Sequence, residues 1–478
     1  MDWEFIRLNE KSSNSYAKRS KIPIKPSSLA IMLILLGMGV FDILKPVTQS
    51  VFSLKSIDPN VLAELNNSNN VVVYISASNK LHNVKCIKQW KFGNLIICKS
   101  IIHSKAQLFN IIKTNKIISI FAQNKLKITF PIIVKNTSAY STSSINLNQN
   151  IYYKTMLINQ NSPFNGNETV AIVDTGIDYL NPYLYRNNKT VIKALVNCMF
   201  TINNTCIVNN TTNFSLTQMY GVYNYDVDFY QQYDTFLYED QYGHGTFVAG
   251  EIVSQNPLYK GFAPNDSVVI IKAFDKNGTA SEDWLLNALQ WLYNNIPNYN
   301  ITVLSFSWGS PSRNPYDPVV LAINKIYSKY HVAIFVAAGN DFNVPGTIES
   351  PAISKDVFAV GSWDCYRNEL SWFSSIGPTY NLEIKPDFVA CGSNIVGLRS
   401  KFSSDPCFEG NCYLTVMSGT SMATPLAAAC YSRFVQYYEE TYHKSPTIQD
   451  FVNYEKVNAI KHDFTKDFIE GYGFLQCP

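Results

Sequence analysis

The chain has 478 residues, which is enough for a large hydrophobic core and more than one domain. It is 46% hydrophobic and 16% charged, so the composition excludes a disordered chain. The net charge of +3 gives no reason to expect nucleic acid or an acidic partner.

The N-terminal 1–50 region combines a basic end with an apolar segment. Six Lys and Arg residues precede the apolar run 29–41, and the whole segment 29–44 has the character of an export signal or membrane anchor. The run is short for a spanning helix but suits a signal sequence, and a tight single span or a buried core helix are the alternatives. In either export case the basic end stays in the cytoplasm and the rest of the chain lies outside.

Cysteines and glycosylation sequons also favour export. All ten Cys follow residue 50, and the close pairs Cys198/Cys206 and Cys407/Cys412 are disulfide candidates for an oxidising compartment. Asn-x-Ser/Thr sequons are frequent, with four of them between Asn203 and Asn213. The sequence therefore predicts a secreted or cell-surface glycoprotein, anchored in the membrane only if the N-terminal segment is not cleaved.

Residues 51–135 have the pattern of a small α+β domain. Short β-branched runs at 71–76, 95–98, 117–121 and 126–133 predict strands, and Ser104 is expected to cap a helix. The stretch 136–150 is rich in Asn, Ser and Thr without an apolar period, so we expect an exposed linker there and a probable processing region.

From residue 151 to the end, buried strands alternate with helices. The expected strands cover 168–173, 267–273, 302–306, 331–336 and 357–360, and the expected helices cover 244–253, 284–296 and 318–330. Continuous apolar strands separated by helices indicate an α/β fold, a parallel sheet with helices on both faces. Functional residues then belong at the carboxyl ends of the strands.

Four polar residues stand at predicted strand ends or helix starts. They are Asp174 and Asn340 after strands, His244 between two glycines at a helix start, and Ser421 in a small-residue turn whose helix has Pro425 in its first turn. Each alone has an ordinary structural explanation, such as a cap, a turn or a satisfied core histidine. Together they match the parts needed for acyl transfer: nucleophile, base, orienting carboxylate and oxyanion donor.

From about residue 168 the sequence resembles the subtilisin-like serine proteases, the subtilases. The resemblance is carried by Asp174-Thr-Gly-Ile-Asp, Gly243-His-Gly-Thr-x-Val-Ala-Gly and Gly419-Thr-Ser-Met-Ala-Thr-Pro, in the family's order. It implies a Ser421–His244–Asp174 triad, with the Asn340 side chain and the Ser421 N–H as oxyanion donors. The resemblance implies no cofactor for the chemistry. Structural calcium is common in the family, but no set of calcium ligands can be recognised in this sequence.

The resemblance extends to the substrate-binding segments. Ser305-Phe-Ser-Trp-Gly309 resembles the edge segment that pairs with an extended peptide, and Trp308 would narrow a subsite. The residues implied to bind substrate are Ser305, Ser307, Trp308, Gly309, Ala338 and Gly339.

One region precedes this resemblance, and another interrupts it. Residues 51–135 resemble the family's inhibitory propeptide in element order, and a permanent binding module is the alternative. Asp174 and His244 are more widely separated than the family usually shows, which predicts an insertion at about 187–238, stapled by a disulfide, glycosylated and beside the substrate cleft.

Two functions of different classes follow. The first is an extracytoplasmic serine endopeptidase that is made as a zymogen and acts on peptides and proteins. The second is a catalytically inactive subtilase fold that serves as a surface binding or scaffold protein.

Overall fold

The computed structural model describes residues 56–68, 70–123, 125–127, 163–461 and 466–478. These residues belong to a single compact unit, Ser53–Pro478. The apolar segment 29–44 and the linker 136–150 lie outside the described residues. Within the described ranges, no helix has the length and apolar character needed to cross a membrane.

The N-terminal part is a five-stranded sheet with two helices. The predicted cap is confirmed, because Ser104 accepts a hydrogen bond from the Gln107 N–H. The strand order is β1-β5-β2-β4-β3. The elements are β1 Ser56–Ile57, α1 Pro59–Asn67, β2 Val71–Ala77, β3 Lys88–Phe92, β4 Leu95–Ile102, α2 Lys105–Thr114, β5 Ile117–Ala122 and β6 Lys125–Lys127. The α+β class is as predicted, and β6 lies outside this sheet and pairs with a strand of the larger part.

The larger part is built on a nine-stranded sheet. Its strands and those of the small accessory ribbons are β7 Thr169–Asp174, β8 Tyr185–Arg186, β9 Lys189–Thr190, β10 Ile192–Ile202, β11 Thr205–Asn210, β12 Ser267–Lys272, β13 Thr279–Ser281, β14 Val303–Phe306, β15 Ala333–Ala337, β16 Phe358–Asp364, β17 Glu369–Leu370, β18 Phe388–Cys391, β19 Ile395–Leu398 and β20 Leu414–Met417. The main sheet runs β11-β10-β12-β7-β14-β15-β16-β17, and β18 also pairs with β16. Pairing is parallel throughout except at β11 and β17.

Helices cover both faces of this sheet. They are α3 Leu216–Tyr233, α4 His244–Val253, α5 Glu282–Asn295, α6 Pro318–Tyr330, α7 Thr420–Tyr442 and α8 Ile448–Asn458. One hydrophobic cluster joins the sheet to α4, α7 and α8, and a second joins it to α5 and α6. This arrangement confirms the predicted three-layer α/β fold, which brings the carboxyl ends of β7, β14 and β15 to one edge.

The 187–238 region, predicted as an insertion, consists largely of strands and one helix. It supplies β10, which pairs in parallel with β12, and β11, which pairs antiparallel with β10 and is the edge strand of the sheet. The predicted Cys198–Cys206 disulfide joins these two strands. Asn203 and Asn213 are exposed, which is compatible with glycosylation, and glycosylation stays a prediction.

All ten cysteines are paired. Besides Cys198–Cys206, the second predicted pair, Cys407–Cys412, is present. The remaining bonds are Cys86–Cys98, Cys365–Cys391 and Cys430–Cys477.

The N-terminal sheet packs on α5 of the larger part. Tyr74 Oη donates to Asp283 (2.6 Å), and Lys99 Nζ makes an ion pair with the same carboxylate (2.9 Å). Trp90 Nε1 donates to the Asn287 side chain (3.0 Å). Tyr74 and Trp90 also belong to the hydrophobic cluster that includes α5. Beyond these contacts, β6 pairs antiparallel with β13.

Candidate active site

Three neighbouring parallel strands end in polar residues at one edge of the sheet. Asp174 is the last residue of β7, Ser307 directly follows β14, and Asn340 follows β15 by three residues. Because β14 pairs with both β7 and β15, these three residues lie at or just beyond the ends of neighbouring strands. The fold therefore brings together residues that are up to 166 positions apart in sequence.

Asp174 and His244 form a fully buried pair. His244 Nδ1 lies 2.8 Å from Asp174 Oδ1 and 2.9 Å from Oδ2. Thr175 holds the same carboxylate, donating to Oδ1 from its N–H (2.7 Å). With Nδ1 turned to the carboxylate, the imidazole presents Nε2 on its other side.

The start of α4 is positioned by close backbone contact and by a carboxylate. A methyl group on Gly245 would lie 2.2 Å from the Gly176 oxygen, so only glycine allows α4 to approach the end of β7 this closely. Asp240 accepts hydrogen bonds from Gly243 N–H (2.7 Å) and Thr246 N–H (2.8 Å). Asp240 was not singled out from the sequence, where its only signal is an acidic residue four positions before the histidine.

Ser421 lies at the amino end of α7. Its Oγ donates to the Ser307 carbonyl oxygen (3.0 Å), and Ser307 Oγ donates back to the Ser421 carbonyl oxygen (2.9 Å). Pro425 lies in the second turn rather than in the predicted first turn, and it has no N–H for that Ser421 oxygen. Ser307 Oγ therefore satisfies a carbonyl that the proline leaves without its helical donor.

His244 Nε2 has no hydrogen-bond partner in the described part of the chain. The Ser421 hydroxyl is directed to Ser307 in this state, so the serine–histidine hydrogen bond is not formed. Hydrogen bonds between catalytic groups are often long or poorly aligned in enzymes and tighten when substrate binds.

The Asn340 amide is fixed against the first residue of α7. Its Oδ1 accepts from Thr420 N–H and from Thr420 Oγ1, both at 3.0 Å. Its Nδ2 lies 3.2 Å from the position that a methyl group on Gly419 would occupy. The amide nitrogen is thereby placed beside the turn that precedes Ser421.

The other residues predicted to bind substrate differ in position. Ser305 lies inside β14, paired with Ile172 and Phe335, and the residues from Ser307 to Ser310 that follow the strand are buried as well. Trp308 is buried, with its ring 5.9 Å from that of Phe274; its role in narrowing a subsite stays a prediction. Gly309, Ala338 and Gly339 flank the strand ends next to Ser307 and Asn340.

Several buried ionisable groups lie near the Asp174–His244 pair. Burial, with the nearby charge of Asp178, raises the pKa of Glu239 well above its usual range, and burial raises the pKa of Asp178 as well. Burial lowers the pKa of Lys272, whose Nζ donates to the Glu239 backbone oxygen at 2.5 Å. Lys272 pairs in register with Asp174 across β12 and β7, so this charge cluster lies directly beside the site.

Metal binding was left open by the sequence. Over the ranges that the structure covers, no group of three or more His, Cys, Asp or Glu side chains is arranged to hold a metal ion.

Comparison with known proteins identifies the family. The model of the subtilase family, Peptidase S8, matches residues 165–473. The chain belongs to the subtilases. The match spans well over half of the sequence and contains all the site residues above.

This subtilase is similar to several named proteases. It is 33% identical over 219 residues to the serine protease AprX of Bacillus subtilis, an alignment that covers 41% of this chain and 49% of AprX. It is 33% identical over 203 residues to the human membrane-bound transcription factor site-1 protease, covering 41% of this chain and 18% of that protein. The alignments thus span half or less of these curated relatives. The relatives' names support a serine protease.

Solved structures support the same fold. Sphericase superposes with a TM-score of 0.51 at 21% identity, covering 69% of this subtilase and 96% of that chain. The S41 psychrophilic protease gives 0.50 at 20% identity, with the same coverage.

Proposed function

We propose that this subtilase is a serine endopeptidase with Ser421 as nucleophile, His244 as general base and Asp174 as the orienting carboxylate. The observation that carries the proposal is the buried Asp174–His244 pair at the end of β7, with Ser421 held to the end of the neighbouring β14. Membership of a protease family makes acyl transfer the chemistry that this arrangement serves best.

The chemistry follows from the positions of the hydrogen-bonding atoms. For reaction, the Ser421 hydroxyl turns from the Ser307 oxygen to His244 Nε2, which accepts its proton as Oγ attacks the peptide carbonyl. Asp174 holds the Nδ1–H and stabilises the imidazolium that forms. The Asn340 amide and the Ser421 N–H donate to the developing oxyanion. His244 then gives the proton to the leaving amine, and water hydrolyses the acyl-enzyme.

We propose that residues 51–135 act as an inhibitory propeptide, so that the enzyme is made as a zymogen. Two observations support this: the contacts of Tyr74, Trp90 and Lys99 with α5, and the pairing of β6 with β13. Through this pairing β6 makes the kind of backbone hydrogen bonds that an extended substrate makes when it adds to the edge of a sheet. Cleavage in the 136–150 linker would release this domain, whereas a permanent binding module would stay attached.

We propose an extracytoplasmic location, with export directed by segment 29–44. Five disulfides within the described residues fit an oxidising compartment. Sequencing the N-terminus of the mature protein tests the proposal, because it reports both whether segment 29–44 is retained and where the chain is cut. A mature N-terminus upstream of residue 51 would contradict release of the propeptide.

Wild-type and Ser421→Ala chains, expressed identically, test activity and self-processing together. We expect the wild type to hydrolyse casein and the alanine variant to accumulate as uncut precursor without activity. Equal casein hydrolysis by both would overturn the nucleophile assignment, and normal processing of the alanine variant would show cleavage by another protease. An inactive scaffold protein, the other candidate, predicts no hydrolysis by either, and the intact set of four site residues disfavours it.

A further inference from the structure

Three large apolar side chains lie exposed on the segments that follow β15 and β17. The exposed fractions are 56% for Phe342, 55% for Val344 and 57% for Trp372. The ring centroids of Phe342 and Trp372 are 5.7 Å apart, and Trp372 packs edge-on against the buried Phe373 at the same distance. Single apolar residues are common on protein surfaces, but a group of neighbours indicates a binding surface. We call Phe342, Val344 and Trp372 the apolar patch.

The backbone holds Phe342 in a conformation that bulky side chains rarely adopt. Its φ of +67° lies in the left-handed region. Its N–H donates to the Phe373 oxygen (3.0 Å), and the N–H of the preceding Asp341 donates to Ser375 Oγ (3.1 Å). These hydrogen bonds fix the two segments of the apolar patch to each other. Glycine would adopt the same conformation without strain, so a phenylalanine at this position indicates a use for its ring.

The pairing of β6 with β13 indicates how a peptide approaches the reacting groups. Because the pairing is antiparallel, β6 runs toward the start of β13 and toward Gly278, which precedes it. A methyl group on Gly278 would lie 2.9 Å from the ring of Tyr242, two residues before His244. A peptide that binds as β6 does therefore reaches the site with its amino-terminal side along β13.

The apolar patch lies on the opposite side of the reacting groups. In the main sheet, β12, which leads to β13, is separated by β7, β14 and β15 from β16 and β17, which lead to Trp372. A peptide that comes from β13, with the cleaved carbonyl between Ser421 and Asn340, continues toward the patch. Phe342 is two residues from Asn340, at most about 7 Å between Cα atoms, which two extended residues span. The patch is then nearest to P2′, the second residue after the cleaved bond.

We propose that the apolar patch makes this protease selective for a large apolar or aromatic residue at P2′; the inference rests on the proposed endopeptidase function. An apolar P2′ side chain removes its own surface and that of the patch from water, and an aromatic one adds ring contacts. A carboxylate at P2′ would lose hydration against the two rings and be disfavoured. Because hydrogen bonds already fix the patch, little ordering opposes binding.

The test uses quenched fluorescent peptides that differ only at P2′, with Phe, Leu, Ala or Asp, built on a casein sequence that the wild type cleaves at one bond. The enzymes are mature wild type, Phe342→Gly, Trp372→Ala and Tyr442→Ala, each normalised by titration with a fluorophosphonate. Glycine suits the left-handed backbone at position 342. Tyr442 is a matched control because it is 53% exposed, has one ring neighbour at 4.5 Å, and lies about 30 Å from Ser421 at the other end of α7.

We expect the wild type to prefer Phe over Ala at P2′ by about tenfold in kcat/KM, the usual effect of partly burying one large apolar side chain. The Asp peptide should be the poorest substrate. Phe342→Gly and Trp372→Ala should each reduce the Phe/Ala ratio to within about threefold. Tyr442→Ala should keep the full ratio.

A second measurement isolates the leaving-group side of the site. With an ester substrate the acyl-enzyme is the same whichever amine attacks it, so added Gly-Phe-amide and Gly-Ala-amide differ only in how the P2′ side chain is bound. We expect the Phe compound to be the better acceptor by about tenfold with the wild type, and to lose that advantage with Trp372→Ala.

Two results would overturn the inference while leaving the protease function intact. One is hydrolysis by the wild type without preference for apolar residues at P2′. The other is an equal loss of Phe and Ala cleavage in both patch variants, which would show a purely structural role. If a variant does not fold, the wild-type P2′ profile and the acceptor ratio decide the question. No hydrolysis of any peptide and no titratable serine in the wild type would refute the proposed function itself.

Discussion

Replacing Asn340 by Asp separates its two roles. The Asn340 Oδ1 accepts two hydrogen bonds of 3.0 Å from Thr420, and a carboxylate of the same shape keeps both. The change therefore spares the local structure but removes the Nδ2 donor and adds a negative charge. Loss of one oxyanion donor costs about 10² to 10³ in kcat. A second negative charge about 4 Å from the developing oxyanion adds about 4 kcal/mol at an effective dielectric of 20, or about another 10³.

The assay compares kcat and KM of wild type, Asn340→Asp and Asn340→Ala with one peptide substrate, together with their melting temperatures. The alanine variant loses the donor and leaves two Thr420 donors without their acceptor, so it should be less stable but more active than the aspartate variant. Both should lose kcat with little change in KM, because the donor acts in the transition state. An aspartate variant within tenfold of wild-type kcat, or one more active than the alanine variant, would refute the oxyanion role.

Three further predictions concern the triad and the stability of the fold. Asp174→Asn should lower kcat by about 10⁴ without unfolding the protein, because an amide no longer fixes the tautomer of His244; a loss under tenfold, measured in peptide hydrolysis, would contradict the orienting role. Burial raises the pKa of Asp317 to about 6, so the folded state holds a proton that the unfolded state releases near pH 4, and the contribution of this carboxyl to stability falls as pH rises from 4 to 6. Asp317→Asn keeps the helix cap and should gain up to about 3 kcal/mol over wild type at pH 7 and nothing below pH 4, as measured by urea unfolding; an equal difference at both pH values would argue against this titration. Replacing Cys430 and Cys477 by Ser opens a loop of 47 residues and should cost about 4 kcal/mol, against about 2 for the 5-residue Cys407–Cys412 loop; the reverse order of unfolding midpoints would contradict the loop-closure argument.

The sequence was most informative where local chemistry decides the structure. Continuous apolar runs predicted the central parallel strands, and the cap residue Ser104 marked a helix start that the structure confirms. Asp174, His244 and Ser421 stand in short segments of small residues, because the backbone must pack closely around them. These segments allowed the three residues to be identified from the sequence. The fold then placed Asp174 and Asn340 at strand ends on the same edge, as the pattern indicated.

Other features depended on contacts between distant segments. β10 and α3 were not predicted, because the wide spacing between Asp174 and His244 was interpreted only as an insertion, with no strand or helix assigned to it. The Tyr74–Asp283 contact joins residues 209 positions apart and has no local signature.

The central claim is that Ser421 is the nucleophile of a working serine protease. Its most direct test is to treat the mature wild-type protein with a fluorophosphonate and locate the adduct by peptide mass spectrometry, with His244→Ala as control. The account predicts a single stoichiometric adduct on Ser421 and labelling slowed by orders of magnitude in the control. An unlabelled wild type, or an adduct on another residue, would contradict it.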